Sequence, residues 1–380
     1  MNRVNKRAIP VRSAIVNAKR IVIKIGSSSL TGKAGEQLDP STVDLLVDSV
    51  ADLKNLGKEV LIVSSGAIAT GLAPLGLTKR PSDLATQQAA AAVGQGLLIH
   101  RYTESFARYQ ITASQVLLTI DDVIRRSHYH NAQRTLLKLI SLNVVPVINE
   151  NDSVGTQEIR FGDNDRIASL VSHLVSADLL IIITDVDALY DRNPQLSDAQ
   201  KISDVSDLHA ISDAAISGVG ASGIGSGGML TKVEAARIAT GAGIGTVLTS
   251  LKNLASALSG NDVGTYFQPA ASKKSSRMLW LQHAAKPHGR VIVDAGAMVA
   301  LRDRGVSLLP AGVTGVEGEF SSGDTVEILG PHREVIARGL IAFDSNELPR
   351  MLGRSTKELA KEYGPEFERE LIHRDDLVLM

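Results

Sequence analysis

The sequence predicts an α/β fold, with a mostly parallel sheet covered by helices on both faces, followed by a smaller, mainly β domain. From residue 20 to about residue 250, short aliphatic runs alternate with longer amphipathic stretches, and this repetition is typical of parallel sheets. After residue 288 the aliphatic runs are short and separated by Gly and Pro, as in small β domains. A chain of 380 residues also exceeds what one hydrophobic core usually supports, so two domains are expected.

Six aliphatic runs are the predicted strands of the first domain. Several lack the alternation of a half-exposed sheet, which indicates burial on both faces. The runs are residues 20–26, 59–66, 111–119, 143–152, 177–185 and 244–250, and the predicted helices are residues 41–56, 81–108, 129–142, 164–176 and 229–240. Since parallel sheets bind ligands beyond the carboxyl ends of their strands, the functional site is expected at that edge.

The pattern changes after residue 250. Residues 264–289 contain two prolines, a Lys/Ser cluster and the only Trp, which predicts a connection between domains. Beyond it we predict strands within residues 289–297, 324–330 and 334–343 and one helix over residues 345–359. The expected organisation is a basic N-terminal extension (residues 1–19), a large α/β domain (20–265), a linker (266–288) and a small β domain (289–380).

Composition excludes several classes of function. The chain has no cysteine, which rules out disulfides, thiolate catalysis and Cys-based metal sites and fits a reducing compartment, so a cytoplasmic protein is expected. The formal net charge of -1 offers no general attraction to nucleic acid or to anionic membranes. The most apolar run, Leu179–Ile183, is too short to cross a bilayer.

The stretch GASGIGSGGMLTK at residues 220–232 partly matches two phosphate-binding patterns. A dinucleotide fingerprint needs a strand directly before its first glycine, and a P-loop needs Gly-Lys-Ser/Thr, whereas Gly228 is followed by Met229. What remains is a glycine loop that enters a helix, with Thr231 and Lys232 in the first turn. Such a loop can hold phosphate through backbone N–H groups and the ammonium, but a flexible surface linker is equally compatible with it.

Lys24 interrupts an otherwise aliphatic strand. Burying an ammonium without a partner is costly, but at the end of a strand the group can face a phosphate, or it can reach solvent from the strand edge. If Lys24 and Lys232 approach one phosphoryl group from separate elements, they neutralise charge on the transferring oxygens.

Polar residues that follow the strands supply the other candidate groups. Asn149, Asp152 and the Asp163 to Asp165 triplet can bind an amino acid's ammonium and orient lysines, but Asn and Asp also form turns and helix N-caps. Thr184 and Asp185 are placed to bind a nucleotide, or they simply form the turn that ends their strand. His128 and His130 lack a third clustered ligand, so no metal site is predicted.

The ordered motifs resemble the glutamate 5-kinases of the amino acid kinase superfamily, and the resemblance extends from about residue 20 to the end of the chain. The motifs are VIKIGSSSLT, IVSSGAIATG, AAVGQ, VVPVINENDSV, FGDNDRIASL, LIIITDVDALY and SGIGSGGMLTK. The later segments VDAGAMVAL, GVSLLPAGV and HRDD resemble the PUA domain that many members carry. The resemblance implies an αβα sandwich with a mainly parallel open sheet and a C-terminal PUA domain.

The resemblance also implies an activity: ATP, with Mg²⁺, phosphorylates the side-chain carboxylate of L-glutamate to L-glutamyl 5-phosphate, the first step of proline biosynthesis. It implies a cytoplasmic homo-oligomer, a dimer or tetramer, that proline inhibits. Because a glutamate carboxylate with a pKa of about 4.3 is already ionised at neutral pH, the acceptor needs alignment rather than a base.

Matching the motifs assigns the site residues. Lys24 and Lys232 fall on the catalytic lysines, and Asp165 is assigned as their organiser. The substrate-binding positions are Ser65, Gly66, Asn149, Asp152, Asp163 and Asn164. The ATP-binding positions are Lys24, Thr184, Asp185, Ser226, Gly227, Gly228, Met229, Leu230, Thr231 and Lys232.

Two alternatives stay open. A kinase of acetylglutamate, aspartate or UMP from the same superfamily would share the lysines and the glycine loop but differ in its acceptor pocket. The second alternative is RNA binding, since PUA domains are often RNA-binding modules. Residues 290–380 carry eleven Lys and Arg against sixteen Asp and Glu, which is the wrong sign for a phosphate-binding surface. We therefore expect a regulatory or structural role for this domain and no nucleic acid partner.

Overall fold

The computed structural model describes residues 12–31, 38–119, 122–123, 126–154, 163–194, 196–208, 211, 228–270, 281 and 287–380. Most of the basic extension and most of the predicted linker lie outside these ranges. The chain divides into two compact units, Met1–Lys273 and Lys274–Met380, and each is described by itself.

The first unit is built on an eight-stranded sheet in the order β3-β4-β2-β1-β5-β9-β10-β8. All neighbouring strands are parallel except β9 and β10. The strands are β1 (Arg20–Ile25), β2 (Glu59–Ser64), β3 (Ala113–Leu118), β4 (Val145–Glu150), β5 (Leu179–Ile183), β8 (Asp204–Val205), β9 (Gly245–Thr249) and β10 (Thr265–Phe267); β6 (Leu189–Tyr190) and β7 (Lys201–Ile202) form a separate pair.

Strand β1 lies where the direction of the chain across the sheet changes. It pairs with β2 on one side and with β5 on the other, so that Lys24 lies opposite Val63 and Ile182. In open parallel sheets, ligands bind outside the carboxyl ends of the strands at such a switch point. The carboxyl ends of β1, β2, β4 and β5 therefore form the expected edge for a site.

The helices lie between the strands, as the sequence pattern predicts. In the described part of the first unit they are α1 (Ser13–Asn17), α2 (Ser27–Leu30), α3 (Pro40–Asn55), α4 (Ala67–Leu72), α5 (Leu84–Ala107), α6 (Arg126–Ser141), α7 (Asp163–Leu174), α8 (Met229–Gly241) and α9 (Leu254–Leu258). All six predicted strands and all five predicted helices are present, with ends shifted by a few residues. The predicted α/β class is confirmed.

Helices cover both faces of the sheet. Ile21, Ile23 and Ile25 of β1 pack in one core cluster with apolar residues of α3 and α5. Because successive side chains of a strand point to opposite faces, Lys24 faces the other side, where α7 contacts β1, β2, β4 and β5. Helix α8 packs against α7 on that side. This arrangement brings a lysine of the central strand beneath two helices.

Helices α4 and α5 approach each other so closely that glycine is required at both contacts. A Cβ at Gly94 would lie 1.9 Å from Ala67 O, and a Cβ at Gly71 would lie 1.9 Å from Ala90 O. Because α4 begins directly after the Ser65 to Gly66 turn, this contact fixes the position of that turn relative to α5.

The second unit contains a five-stranded sheet in the order β12-β11-β13-β14-β15. Its strands are β11 (Gly289–Val293), β12 (Val313–Gly318), β13 (Thr325–Leu329), β14 (Val335–Leu340) and β15 (Leu377–Leu379). From residue 287 onwards, its α-helices are α10 (Ala295–Arg304) and α11 (Thr356–Tyr363). A core that includes Val291, Ile328 and Phe343 holds them together. The predicted mainly β character of this part of the chain is confirmed.

The predicted helix over residues 345–359 is wrong. Only a 3-10 turn forms at Leu348–Arg350, because Pro349 cannot continue a helix and Gly353 has a positive φ of +69. The true helix, α11, starts after Ser355, which forms a capping box with Glu358. The predicted strand over residues 289–297 likewise ends at Val293, and α10 follows it. Among the described helices, none is both long and apolar enough to cross a membrane.

Candidate active site

Three charged side chains from three elements meet at the carboxyl edge of the sheet. Lys24 comes from β1, Asp165 from the first turn of α7, and Lys232 from the first turn of α8. Lys24 Nζ lies 2.5 Å from Asp165 Oδ1, and Lys232 Nζ lies 3.5 Å from Asp165 Oδ2. All three are buried, with 4%, 1% and 8% of their surface exposed for Lys24, Asp165 and Lys232. The structure therefore brings the two predicted lysines together, and Asp165 lies between them.

The electrostatics of this group depend on burial and mutual attraction. Burial lowers the pKa of the Lys24 ammonium, with the positive charge of Lys232 acting in the same direction and Asp165 opposing it. Burial alone would raise the pKa of Asp165, but Lys24, Lys232 and the hydrogen bond from Thr231 outweigh it and keep that pKa below its ordinary value. Asp165 is thus an ionised carboxylate. A bound phosphate would favour the charged form of Lys24.

The start of α8 offers further groups to an anion. Gly228 is the N-cap and supplies no side-chain cap, so N–H groups of the first turn are available to a ligand. Thr231 Oγ1 lies 2.8 Å from Asp165 Oδ2 and 2.9 Å from Gly228 O, and Lys232 Nζ lies 3.5 Å from Gly228 O. Met229 is buried and Leu230 is exposed. Ser226 and Gly227 lie outside the described residues.

Thr184 and Asp185 follow β5, the strand beside β1. Thr184 is buried, and its Oγ1 donates to Asp185 Oδ1 at 2.8 Å. The charge of Asp185 acts to raise the pKa of Lys24, although burial dominates that pKa. These two residues, which are predicted to bind the nucleotide, therefore lie next to the lysine pair.

A neutral polar cluster lies on the other side of Asp165. Asn164 Nδ2 donates to Ser65 Oγ and to Asn149 Oδ1, each at 3.0 Å. Ser65 follows β2, and Gly66 is the N-cap of α4 with a φ of +101, a conformation that favours glycine. The structure thus joins three predicted acceptor residues from three elements. Asp163 begins α7, and its side chain lies outside the description.

Asp152 occupies the turn after β4. Burial raises the pKa of this carboxyl to about 6, partly opposed by the charge of Arg80. Asp152 therefore titrates close to the physiological range.

The sequence analysis missed one member of the polar cluster. Gln95 of α5 accepts from Asn149 Nδ2 through its Oε1 at 2.7 Å. It stands in the motif AAVGQ, but a Gln in an Ala-rich helix resembles a surface residue. The sequence carries no signal for it, because its burial depends on how closely α4 and α5 pack around Gly71 and Gly94.

Within the described ranges, no group of three His, Cys, Asp or Glu side chains could hold a metal ion. His128 Nδ1 instead lies 2.8 Å from Asp122 Oδ1. Two buried ammonium groups, a helix N-terminus and an adjacent amide cluster form a site suited to transferring a phosphoryl group to a small acceptor.

Comparison with known proteins agrees with this class of site. The model of the amino acid kinase family matches residues 19–250, and that of the PUA domain matches residues 289–363. The chain belongs to the amino acid kinase family.

Relatives that align over nearly the whole chain indicate which kinases of this family the chain is similar to. Glutamate 5-kinase of Streptomyces coelicolor is 55% identical, covering 97% of this chain and 98% of the relative. Glutamate 5-kinase of Salinispora arenicola is also 55% identical, covering 97% of this chain and 100% of the relative. A solved carbamate kinase from Giardia lamblia bound to AMP-PNP aligns with a TM-score of 0.48 and 21% identity, covering 67% of this chain and 100% of that chain. The resemblance to glutamate 5-kinases noted in the sequence is confirmed by the first two relatives.

Proposed function

We propose that this chain uses ATP to phosphorylate the side-chain carboxylate of L-glutamate, giving ADP and L-glutamyl 5-phosphate, the first step of proline biosynthesis. The observation that carries the proposal is the buried Lys24, Asp165 and Lys232 group, which directly adjoins the Asn149, Asn164 and Ser65 cluster. Relatives named glutamate 5-kinase at 55% identity support the choice of acceptor.

The reaction requires no proton removal. A carboxylate oxygen of the acceptor forms a bond to the γ-phosphorus, the bond from that phosphorus to the bridging oxygen breaks, and ADP leaves with the electron pair. Lys24 and Lys232 neutralise charge on the transferring group. Asp165 does not act as a base, since both of its oxygens contact the lysines or Thr231, and it holds the two ammonium groups at their positions.

Mg²⁺ would reach the site as part of the ATP substrate and would reduce the negative charge of the phosphates. Mg²⁺ is commonly bound by one or two carboxylates with phosphates and water completing its shell. Binding of this kind does not require three protein ligands, and the described residues offer no cluster of three. The oxygens of Asp165 are already engaged.

The remaining residue roles follow the same division. The acceptor would be bound by Ser65, Gly66, Asn149, Asp152, Asp163 and Asn164. The nucleotide would be bound by Thr184, Asp185 and the segment from Ser226 to Lys232. The domain boundaries at residues 20–265 and 289–380, a homo-oligomeric state, a cytoplasmic location and inhibition by proline are part of the same proposal.

The test is acceptor selection by the purified chain. Incubation with ATP, Mg²⁺ and hydroxylamine should give hydroxamate with L-glutamate, and release of ADP should depend on glutamate. Acetylglutamate and aspartate serve as competing acceptors in the same assay, and UMP in the ADP assay. Product with one of these but not with glutamate would overturn the proposal.

A further inference from the structure

Gln95 has a buried hydrogen-bond donor without a partner. Only 7% of the residue is exposed. Its Oε1 accepts from Asn149, but its Nε2 is buried and has no hydrogen-bond partner among the residues that the structure describes. An unsatisfied buried donor destabilises a fold, and such groups often mark a functional constraint.

The orientation of the Asn149 amide explains why Gln95 presents its oxygen. Asn149 Oδ1 accepts from the backbone N–H of Glu150 at 2.9 Å, and a backbone N–H can only donate. Asn149 therefore directs its Nδ2 donor towards Gln95. Gln95 must accept this hydrogen bond and can do so only through Oε1. The orphaned Nε2 of Gln95 is a consequence of this requirement.

The orientation of the Asn149 amide also determines the orientation of the Asn164 amide. Asn149 Oδ1 also accepts from Asn164 Nδ2 at 3.0 Å, and Ser65 Oγ lies 3.0 Å from the same nitrogen. Asn164 Nδ2 is thus occupied, and within the described part of the chain Asn164 Oδ1 is left as a buried acceptor without a partner. An acceptor in this state is complementary to the N–H groups of an ammonium ion.

We propose that Gln95 is a positioning residue that makes the site selective for acceptors bearing an α-ammonium group. The proposal rests on the proposed function, in which the amide cluster binds an amino acid. The Glu150 N–H and the Gln95 oxygen together hold the Asn149 amide. Asn149 Oδ1 in turn orients Asn164, so that Asn164 directs oxygen rather than NH₂ towards the substrate. Without the Gln95 oxygen, Asn149 Nδ2 loses its buried acceptor, and the Asn149 amide that orients Asn164 is held less firmly.

The decisive measurement compares L-glutamate with glutarate, which has the same carboxylate but no ammonium group. In Gln95→Met, the KM for glutamate is expected to rise about tenfold through the misplaced hydrogen bond to a charged group. The kcat, the KM for ATP and the constants for glutarate should stay unchanged. The preference for glutamate over glutarate should therefore fall about tenfold.

Two further variants separate positioning from packing. Gln95→Glu keeps an oxygen towards Asn149 in either protonation state and should retain most of the preference. Gln87 lies on the same helix as Gln95, and its side chain donates a hydrogen bond to Pro81 O. Gln87→Met removes this bond and should leave the preference for glutamate over glutarate intact. Thermal unfolding monitored by circular dichroism verifies that each variant is folded. If Gln95→Met does not fold, Gln95→Asn, which withdraws the amide by one methylene, takes its place.

The outcomes are distinct. A folded Gln95→Met that keeps the wild-type preference, or that loses kcat on both acceptors equally, would sink the inference and leave the proposed function standing. A wild-type protein that does not phosphorylate glutamate would instead overturn the proposed function, and the inference with it.

Discussion

The phosphoryl side and the acceptor side of the site differ in how they use polar groups, although they share neighbouring residues of α7. On the phosphoryl side, Asp165 is paired with two buried ammonium groups. On the acceptor side, Asn164 takes part in a chain of neutral amides and a hydroxyl. Under the proposed function, charged groups therefore lie where the transferring phosphate would develop charge, whereas neutral hydrogen-bonding groups lie where the acceptor would be selected. The comparison teaches that changes on the first side should act on rate and changes on the second on recognition.

Removing either lysine should have the largest effect. Lys24→Ala and Lys232→Ala are each expected to lower kcat about 1,000-fold, because each removes a preorganised cation from the transferring group. Glutamate-dependent ADP release measures the loss. Lys138→Ala, at an exposed lysine of α6, is the matched control and should keep its turnover; unchanged rates in the two site variants would refute the two-lysine mechanism.

Neutralising the residue between the lysines should come next. Asp165→Asn is expected to lower kcat about 100-fold, because an amide keeps the shape but no longer holds the two ammonium groups. Loss of the carboxylate also removes the attraction that raises the pKa of Lys24, so the variant should lose activity at a lower pH than wild type on the alkaline side.

A pH profile of kcat for the Asp165→Asn variant and for Asp52→Asn, at an exposed position of α3, checks this shift. If the alkaline limbs of both variants coincide with that of wild type, Asp165 does not control the lysine charge.

The contact between α4 and α5 should affect stability rather than chemistry. Gly94→Ala would place a Cβ 1.9 Å from Ala67 O, and the forced separation of the helices should cost about 3 kcal/mol of the free energy of unfolding. Urea unfolding measures it.

Gly96→Ala is the matched control for this prediction. It lies on the same helix with nothing within 4 Å of its added Cβ, so it should stabilise the protein by about 0.5–1 kcal/mol. Equal effects of the two substitutions would contradict the close contact.

The smallest expected effect is a pH dependence on the acceptor side. Burial raises the pKa of Asp152 to about 6, so this carboxylate loses its charge as pH falls through that value. If Asp152 attracts the ammonium of the acceptor, KM for glutamate should rise up to about tenfold per pH unit below pH 6. Asp152→Asn at saturating ATP should remove this dependence, and a wild-type KM that stays flat from pH 7 to pH 5 would argue against a role for Asp152.

The sequence was sufficient for most of the fold because its short aliphatic runs alternate regularly with longer amphipathic stretches. It did not show β8 and β10, which have two and three residues, because such short strands have no measurable periodicity. The wrong helix over residues 345–359 shows the opposite error, in which an amphipathic pattern was extended through Pro349 and Gly353.

For the site, the sequence pointed to the groups whose burial is costly. Lys24 could be singled out because an ammonium in an apolar strand needs a partner, and the structure supplies Asp165. Gln95 could not be singled out, since its burial depends on how closely α4 and α5 pack and its role depends on the direction of an amide bond network. Both are properties of tertiary packing.

Asn164 and Asp165 are consecutive residues in one turn of a helix, so their Cα atoms lie about 3.8 Å apart. Hydrogen bonds and ion pairs hold both side chains in place. Under the proposed function, one binds the ammonium end of the acceptor and the other holds the lysines at the reacting end. The first turn of α7 then acts as a fixed gauge of acceptor length, and an acceptor one methylene shorter cannot satisfy both ends at once. Selection by chain length would follow from the backbone itself and require no additional pocket wall.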